Sequence, residues 1–308
     1  MSGQPNPALD AKTRYCAVLG HPIQHSASPA MQNAGIADLG LNWRYLAFDV
    51  HPDHLRAAID GAKSMKFIGL NLTVPHKLLA LQMVDVLDES ARTWGAVNTI
   101  RFEGRVANGT VWQPLAEIEG HAELEVRSVG FNTDADAIVK SIEEDLGIKL
   151  RGARVLLLGA GGAGRTAALR LAAEEVGELF LVNRTASKAA DVAGEIGKRF
   201  PGVAVRVGYP SGSVDLVLNG TSAGLKLSDP LPLDVATYPL SRAAAVYDMI
   251  YRPAETPLMK EGRAAGCRVT SGIGMLLYQG AHALEIWTGR KAPVAAMRSA
   301  LLKNVYGT

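Results

Sequence analysis

Arg154–Gly164 reads RVLLLGAGGAG. Val155 to Leu158 form an unbroken apolar run, as a strand requires when both of its faces are covered. The run passes into Gly159, Ala160, Gly161, Gly162, Ala163 and Gly164, which satisfies the spacing GxGxxG. Arg165–Val176 then reads as a helix and Glu178–Asn183 (ELFLVN) as the next strand. Strand, glycine turn, helix and strand in that order form the dinucleotide-binding fingerprint. Gly159 and Gly161 permit a tight turn and let a pyrophosphate approach the backbone, and Gly164 lets the helix pack closely on the strand. The free N–H groups of the first helical turn then face the phosphates. The competing reading is a glycine-rich turn in an α/β fold that holds no nucleotide.

The end of the following strand bears on which nucleotide is bound. A carboxylate about 20 residues beyond the glycines usually holds the ribose 2′-hydroxyl of NAD. Here the strand ends Asn183-Arg184-Thr185, with Ser187 and Lys188 behind it. A guanidinium pairs a 2′-phosphate bidentately and an ammonium adds charge. The pattern therefore predicts NADP over NAD, against the plainer view of Arg184 as a solvated loop charge.

Working outward, short apolar runs alternate with amphipathic segments on both sides of the fingerprint. Strands are expected at Tyr15–Gly20, Arg44–Val50, Lys66–Val74 and Ala96–Phe102, and helices at Pro29–Leu39, Pro52–Ser64 and Lys77–Leu87. This alternation predicts parallel βαβ units. Residues 104–128, with Gly104, Gly109, Pro114 and Gly120, break the rhythm and read as a long surface insertion or hairpin. Asp134–Leu146 reads as a connecting helix. Strands follow at Val203–Val207, Asp215–Asn219 and Ala244–Met249, then helices at Gly272–Thr288 and Pro293–Asn304. The expected fold is α/β in two domains: an N-terminal substrate-binding domain, 1–136 plus 272–308, and a Rossmann-type NADP-binding domain, 137–271, with a cleft between them.

The 308 residues carry 32 Lys and Arg against 30 Asp and Glu, so no broad charge points to nucleic acid or an anionic membrane. Disorder is excluded by a 48% hydrophobic content. Two distant cysteines, Cys16 and Cys267, argue against a secreted disulfide framework and fit a reducing cytoplasm. The stretch Met1–Arg14 lacks the apolar centre of a signal peptide. No apolar run reaches membrane-spanning length. The seven histidines show no HExxH and the cysteines no CxxC, so no metal site is expected; His25 and His76 read as loop residues.

Four polar clusters of the first half sit at expected strand ends: HSASP (25–29), NLTVPHK (71–77), GAVNT (95–99) and NTD (132–134). Ligands collect at such ends in open α/β sheets. Any one of them alone is ordinary capping and turn chemistry. Taken in order with GAGGAG, NRT (183–185), NGTSAG (219–224), YDMIY (247–251) and SGIGMLLYQGA (271–281), they make the chain resemble the shikimate dehydrogenase family from about Tyr15 to the last helices.

That resemblance implies an NADP-dependent oxidoreductase interconverting 3-dehydroshikimate and shikimate in aromatic amino acid biosynthesis. It implies Lys77 and Asp134 as the catalytic pair. A Lys ammonium bonded to the ketone oxygen stabilises the developing alkoxide and can donate its proton. By the same resemblance Ser26 and Ser28 would hold the substrate carboxylate. Thr73, Asn98 and Gln279 would bond the ring hydroxyls, and Tyr251 would close the pocket. Thr221, Ser222, Met249 and Gly272 would lie on the nicotinamide side, Met249 being equally readable as core. The chain departs from the family pattern at Phe131, Ala135 and Ser271, and in the length of the segment between Asn98 and Asp134, which is expected over or beside the cleft or at a subunit contact. Quinate or dual specificity, an aminoshikimate-type substrate and a non-catalytic NADP sensor remain the alternatives. Both a monomer and a homodimer are compatible with the sequence.

Overall fold

The computed structural model describes residues 9–106, 109–118 and 124–307. The chain divides into two units, Met1–Thr133 with Leu277–Thr308, and Asp134–Leu276.

The first unit begins β1 (Arg14–Gly20), α1 (Ser28–Asp38), β2 (Trp43–Asp49), α2 (Leu55–Ser64), β3 (Gly69–Leu72) and α3 (His76–Leu79). It continues β4 (Val86–Leu87), α4 (Glu89–Trp94), β5 (Thr99–Val106), β6 (Gln113–Pro114) and β7 (Leu124–Phe131). The strands form one sheet in the order β2-β1-β3-β5-β7-β4, with β6 beside β5. Cys16 to Leu19 of β1 are buried, as expected of a central strand. β1 runs parallel to β2 and β3, but β5 is antiparallel to β3 and β7, so the expectation of parallel units throughout fails at β5. The reason is the stretch read as an insertion. β5 and β7 pair from Thr99↔Phe131 to Val106↔Leu124, so its described part is the arm of a hairpin. Residues 107–108 and 119–123 lie outside the described residues, as do residues 1–8 of the stretch Met1–Arg14.

The helix expected over Lys77–Leu87 is one turn, α3, followed by a 3₁₀ turn at Ala80–Gln82. The Asp85 carboxylate accepts from the Ser128 N–H (2.7 Å), the Ser128 hydroxyl (2.9 Å) and Lys63 Nζ (2.6 Å). Those bonds draw the chain out of helix and lay β4 along β7.

The second unit holds α5 (Asp134–Leu146), β8 (Arg154–Leu158), α6 (Gly162–Ala173), β9 (Glu178–Val182), α7 (Ala186–Arg199), β10 (Ala204–Val207), β11 (Val214–Asn219), β12 (Ala243–Asp248), α8 (Pro257–Ala264) and β13 (Arg268–Ser271). All pairs are parallel, in the order β10-β9-β8-β11-β12-β13. Counted within the unit this is 3-2-1-4-5-6, the doubly wound dinucleotide order, which reverses between β8 and β11. Val155–Leu158, Leu216–Leu218 and Val246 are fully buried at its centre.

The last elements are α9 (Ile273–Thr288) and α10 (Val294–Tyr306). Trp287 on α9 is fully buried and donates Nε1–H to the Ile100 carbonyl at 2.9 Å. Its ring occupies the space over Gly69, where a Cβ would fall 2.1 Å from Nε1. α10 packs on α1, with Met297 against Gly35. The unit boundaries fall at 133/134 and 276/277, against 136/137 and 271/272 expected from the sequence. Asp134 opens α5 and goes with that helix. The first turn of α9 packs by Gly274 against Ser141 and Asp145 of α5, which carries it into the second unit. Among the described residues no helix is long and apolar enough to cross a membrane.

Candidate active site

In the first unit the register aligns Leu19 with Leu72, Asn71 with Thr99 and Thr99 with Phe131. Because β5 is antiparallel, its beginning lies at the edge where β1, β3 and β7 end. GAVNT therefore precedes its strand, contrary to the sequence expectation, yet still joins HSASP, NLTVPHK and NT on one edge. Thr73 follows β3, its N–H bonded to the Leu19 carbonyl at 3.0 Å.

A buried hydrogen-bond network holds this edge. The Tyr45 hydroxyl donates to Asn71 Oδ1 (2.7 Å), and Asn71 Nδ2 donates to Thr99 Oγ1 (3.0 Å) and the Asn98 carbonyl (3.2 Å). Asn98 Oδ1 accepts from the Thr133 N–H (2.8 Å), and its Nδ2 donates to Thr133 Oγ1 (3.0 Å). The amide orientation of Asn98 is thereby fixed, and its second Nδ2 hydrogen remains for a ligand. Tyr45, Asn71, Thr99 and Thr133 had no role assigned from the sequence. The last three stand inside the quoted motifs, whereas Tyr45 on β2 enters only through sheet pairing.

Ser28 opens α1 and donates its N–H to Ser26 Oγ at 3.3 Å, so both hydroxyls belong to one turn. Gln32, one helical turn beyond Ser28, donates Nε2–H to the Gly280 carbonyl at 2.8 Å, which seats the Gln279–Gly280 segment of α9 on α1. Lys77 is half-buried in the single turn of α3, and its carbonyl accepts the Val97 N–H at 2.9 Å. His76 is fully buried rather than a loop residue. Asp134, 6% exposed, belongs to the second unit as the first residue of α5, where the positive end of the helix dipole favours a carboxylate.

In the second unit the GAGGAG turn joins β8 to α6. Gly159 has φ +103°, a conformation costly for other residues, and a Cβ there would meet Thr221 and Gly220. A Cβ on Gly164 would fall 2.3 Å from the Gly159 carbonyl oxygen. Around Gly161 and Gly162 nothing lies within 4 Å of an added Cβ, so the exposed stretch from Gly161 to Ala163 leaves open room above the first N–H groups of α6. A pyrophosphate fits that space and those donors. Asn183, expected to touch cofactor, also braces the turn: its Oδ1 accepts the Ala160 N–H (3.0 Å) and its Nδ2 donates to the Thr185 carbonyl (2.8 Å). Arg184 and Lys188 are exposed at the start of α7, with no acidic residue in its first turn. Two cations at the positive end of a helix repel one another and suit a phosphate.

Further along the same edge, Asn219 Oδ1 accepts from Thr221 N–H (2.9 Å) and Oγ1 (2.7 Å), which fixes the turn carrying Ser222. The Met249 N–H reaches the Asn219 carbonyl at 3.0 Å. A Cβ on Gly272 would lie 2.1 Å from the Met249 carbonyl oxygen, so a glycine is needed there for packing alone. Tyr251 is half-buried, two residues beyond Met249. Of the departures from the family pattern, Ala135 is fully buried, Phe131 lies under the Arg101 guanidinium at 5.2 Å, and Ser271 Oγ accepts the Ile273 N–H at 3.5 Å. Among the described residues no group of three or more His, Cys, Asp or Glu could hold a metal ion.

Comparison with known proteins matches residues 18–100 to the shikimate dehydrogenase substrate binding domain. Residues 140–206 match shikimate / quinate 5-dehydrogenase, and residues 272–302 the shikimate 5′-dehydrogenase C-terminal domain. The shikimate dehydrogenase (NADP(+)) of Moorella thermoacetica is 42% identical over 94% of this chain and 92% of its own length. A shikimate dehydrogenase crystallised with NADP+ superposes with a TM-score of 0.83 at 33% identity, covering 98% of this chain and 99% of that one. The shikimate 5-dehydrogenase of Thermus thermophilus, crystallised with NADP(H) and shikimate, gives 0.77 at 33% identity over 94% and 99%.

Proposed function

This chain belongs to the shikimate dehydrogenase family, and on that premise we propose that it interconverts 3-dehydroshikimate and shikimate with NADP(H), acting on a CH–OH group in aromatic amino acid biosynthesis. The observation that carries this reading is the cofactor edge of the second unit. A doubly wound strand order, an open glycine turn, and Arg184 with Lys188 in place of a carboxylate meet on one sheet edge. The bound cofactor supplies or accepts the hydride. The chain's residues do the rest. Ser26 and Ser28 bind the substrate carboxylate, while Thr73, Asn98 and Gln279 orient the ring hydroxyls and Tyr251 closes over them. Lys77 donates a proton to the oxygen of the ketone being reduced, and takes it back in the oxidation. Asp134 holds that ammonium in place. The buried free thiols of Cys16 and Cys267 fit a reducing cytoplasm, and the chain acts as a monomer or homodimer, which light scattering would distinguish.

Initial rates with shikimate and quinate, each with NADP+ and NAD+, test the proposal. A preference for shikimate with NADP+ of about tenfold, or about 1.4 kcal/mol in the transition state, is expected. Faster turnover of quinate or NAD+ would move the chain to another branch. NADPH binding without turnover of either acid would make it a sensor.

A further inference from the structure

The carboxyl edge of the second sheet carries an aligned row: Val182, Leu158, Asn219, Asp248 and Ser271. Asn219 and Asp248, adjacent in that row, are fully buried. A carboxylate taken out of water needs donors on every side, and Asp248 has them. Asn219 Nδ2 donates to its Oδ1 at 2.9 Å, and the Ile250 N–H to the same oxygen at 3.1 Å. The Thr256 hydroxyl donates to Oδ2 at 2.6 Å. An ionised carboxylate only accepts, so it satisfies all three at once.

Each of those donors passes the constraint outward. Asn219 holds Thr221 through its Oδ1 and donates Nδ2–H to the Ala223 carbonyl at 3.2 Å. Thr256 accepts the Met259 N–H at 3.2 Å and so caps α8. Gly224, with φ +113°, closes the loop by resting against Ile250 and Thr256, each 3.4 Å from where its Cβ would be. One side chain therefore ties together the two segments 219–224 and 249–256.

We propose that Asp248 is a positioning residue that sets these two segments for the nicotinamide end of the cofactor, acting through Asn219 and Thr256. The proposal rests on the functional reading above and on the family resemblance, by which Thr221, Ser222 and Met249 would lie at that end. On the same reading residues 183–188 would hold the adenine end and 159–164 the pyrophosphate. Asp248 makes none of its hydrogen bonds to either segment, and the segments it sets reach them only by the packing of Gly220 and Thr221 on Gly159 and Gly164.

The test titrates the full chain with NADP+ and, separately, with adenosine 2′,5′-bisphosphate, which carries only the adenine end. Asp248→Asn should weaken NADP+ about tenfold, or about 1.4 kcal/mol, and leave the bisphosphate unchanged. Equal weakening of both would mark a merely structural residue and overturn the proposal, as would no change in either. Should Asp248→Asn fail to fold, Thr256→Val is read the same way, and Thr256→Ser, which keeps the hydroxyl, should restore wild-type affinity. Neither titration involves shikimate, so loss of the substrate assignment would leave this test standing.

Discussion

Thr133 shows how a residue without chemistry of its own shapes a site. It meets both ends of the Asn98 amide, so that Asn98 presents a fixed donor to a ligand. Thr133→Val removes the Oγ1 acceptor and strands a buried N–H, at a cost of about 1–3 kcal/mol. The expected outcome in steady-state kinetics is a raised KM for shikimate with the KM for NADP+ unchanged. Lys77 belongs to the chemistry. Lys77→Ala should lower kcat by about 10²–10⁴, the usual contribution of a general acid, while NADPH fluorescence titration gives wild-type affinity. Near-wild-type turnover would remove Lys77 from its role. Asn71, Thr99 and Thr133 are polar side chains inside quoted motifs, so their place in those motifs was readable, though not their bonds. Tyr45 was not, since it reaches Asn71 only after β1, β2 and β3 pair, and no local pattern encodes that.

At the scale of elements, patterning found those that keep one pattern throughout, amphipathic in α5 and apolar in β8. α5 spans Asp134–Leu146 as expected, and β8 lies within one residue of its reading. It missed elements decided by distant bonds. The sequence 77–87 has helical spacing, yet Asp85 binds Ser128, and the long-range bonds outweigh a weak local preference. The direction of β5 was equally hidden, because strand polarity follows from connections, whereas the hairpin was one of the two readings that its turn residues offered. The glycines of the β8–α6 turn were readable for the converse reason, that their conformation and contacts are local. Gly164→Ala places a Cβ against backbone that cannot yield. Its expected effect is loss of NADPH binding in a fluorescence titration, with shikimate binding by calorimetry retained. The row at the end of β12 makes a pH prediction. Burial raises the pKa of Asp248 above its ordinary 3.8 despite its three donors. The folded chain then keeps this proton to higher pH than the unfolded chain. Its contribution to stability is full below pH 3.8 and is lost as pH rises through the folded value. Asp248→Asn cannot titrate, so the stability gap between wild type and variant should narrow as pH rises through the acid range. Denaturant unfolding at several pH values checks this, and a widening gap would contradict it.

For the whole molecule, the two units have separate sheets and separate cores. Each ligand should therefore protect its own unit. In hydrogen exchange read by mass spectrometry, NADP+ is expected to slow exchange chiefly within 134–276, and shikimate chiefly within 9–133 and 277–307. A ligand held at 100 times its Kd adds about 2.7 kcal/mol of stability, enough to resolve the two patterns. The sequence carried the order of the units, since each motif sits in its own stretch of chain. It placed the return of the last helices by function, through Gln279. The structure adds the packing reason: Trp287 fills the space over Gly69, and Met297 lies on Gly35. That return has a consequence during synthesis. The second unit is complete once Leu276 has left the ribosome, and domains fold as units when their residues become available. The first unit, although translated earlier, must wait for Leu277 onward to cover its core. A nascent chain cut after Leu276 and held through a linker long enough to bring Leu276 out of the ribosome should already retain an immobilised NADP+ analogue while its N-terminal half is still open to protease.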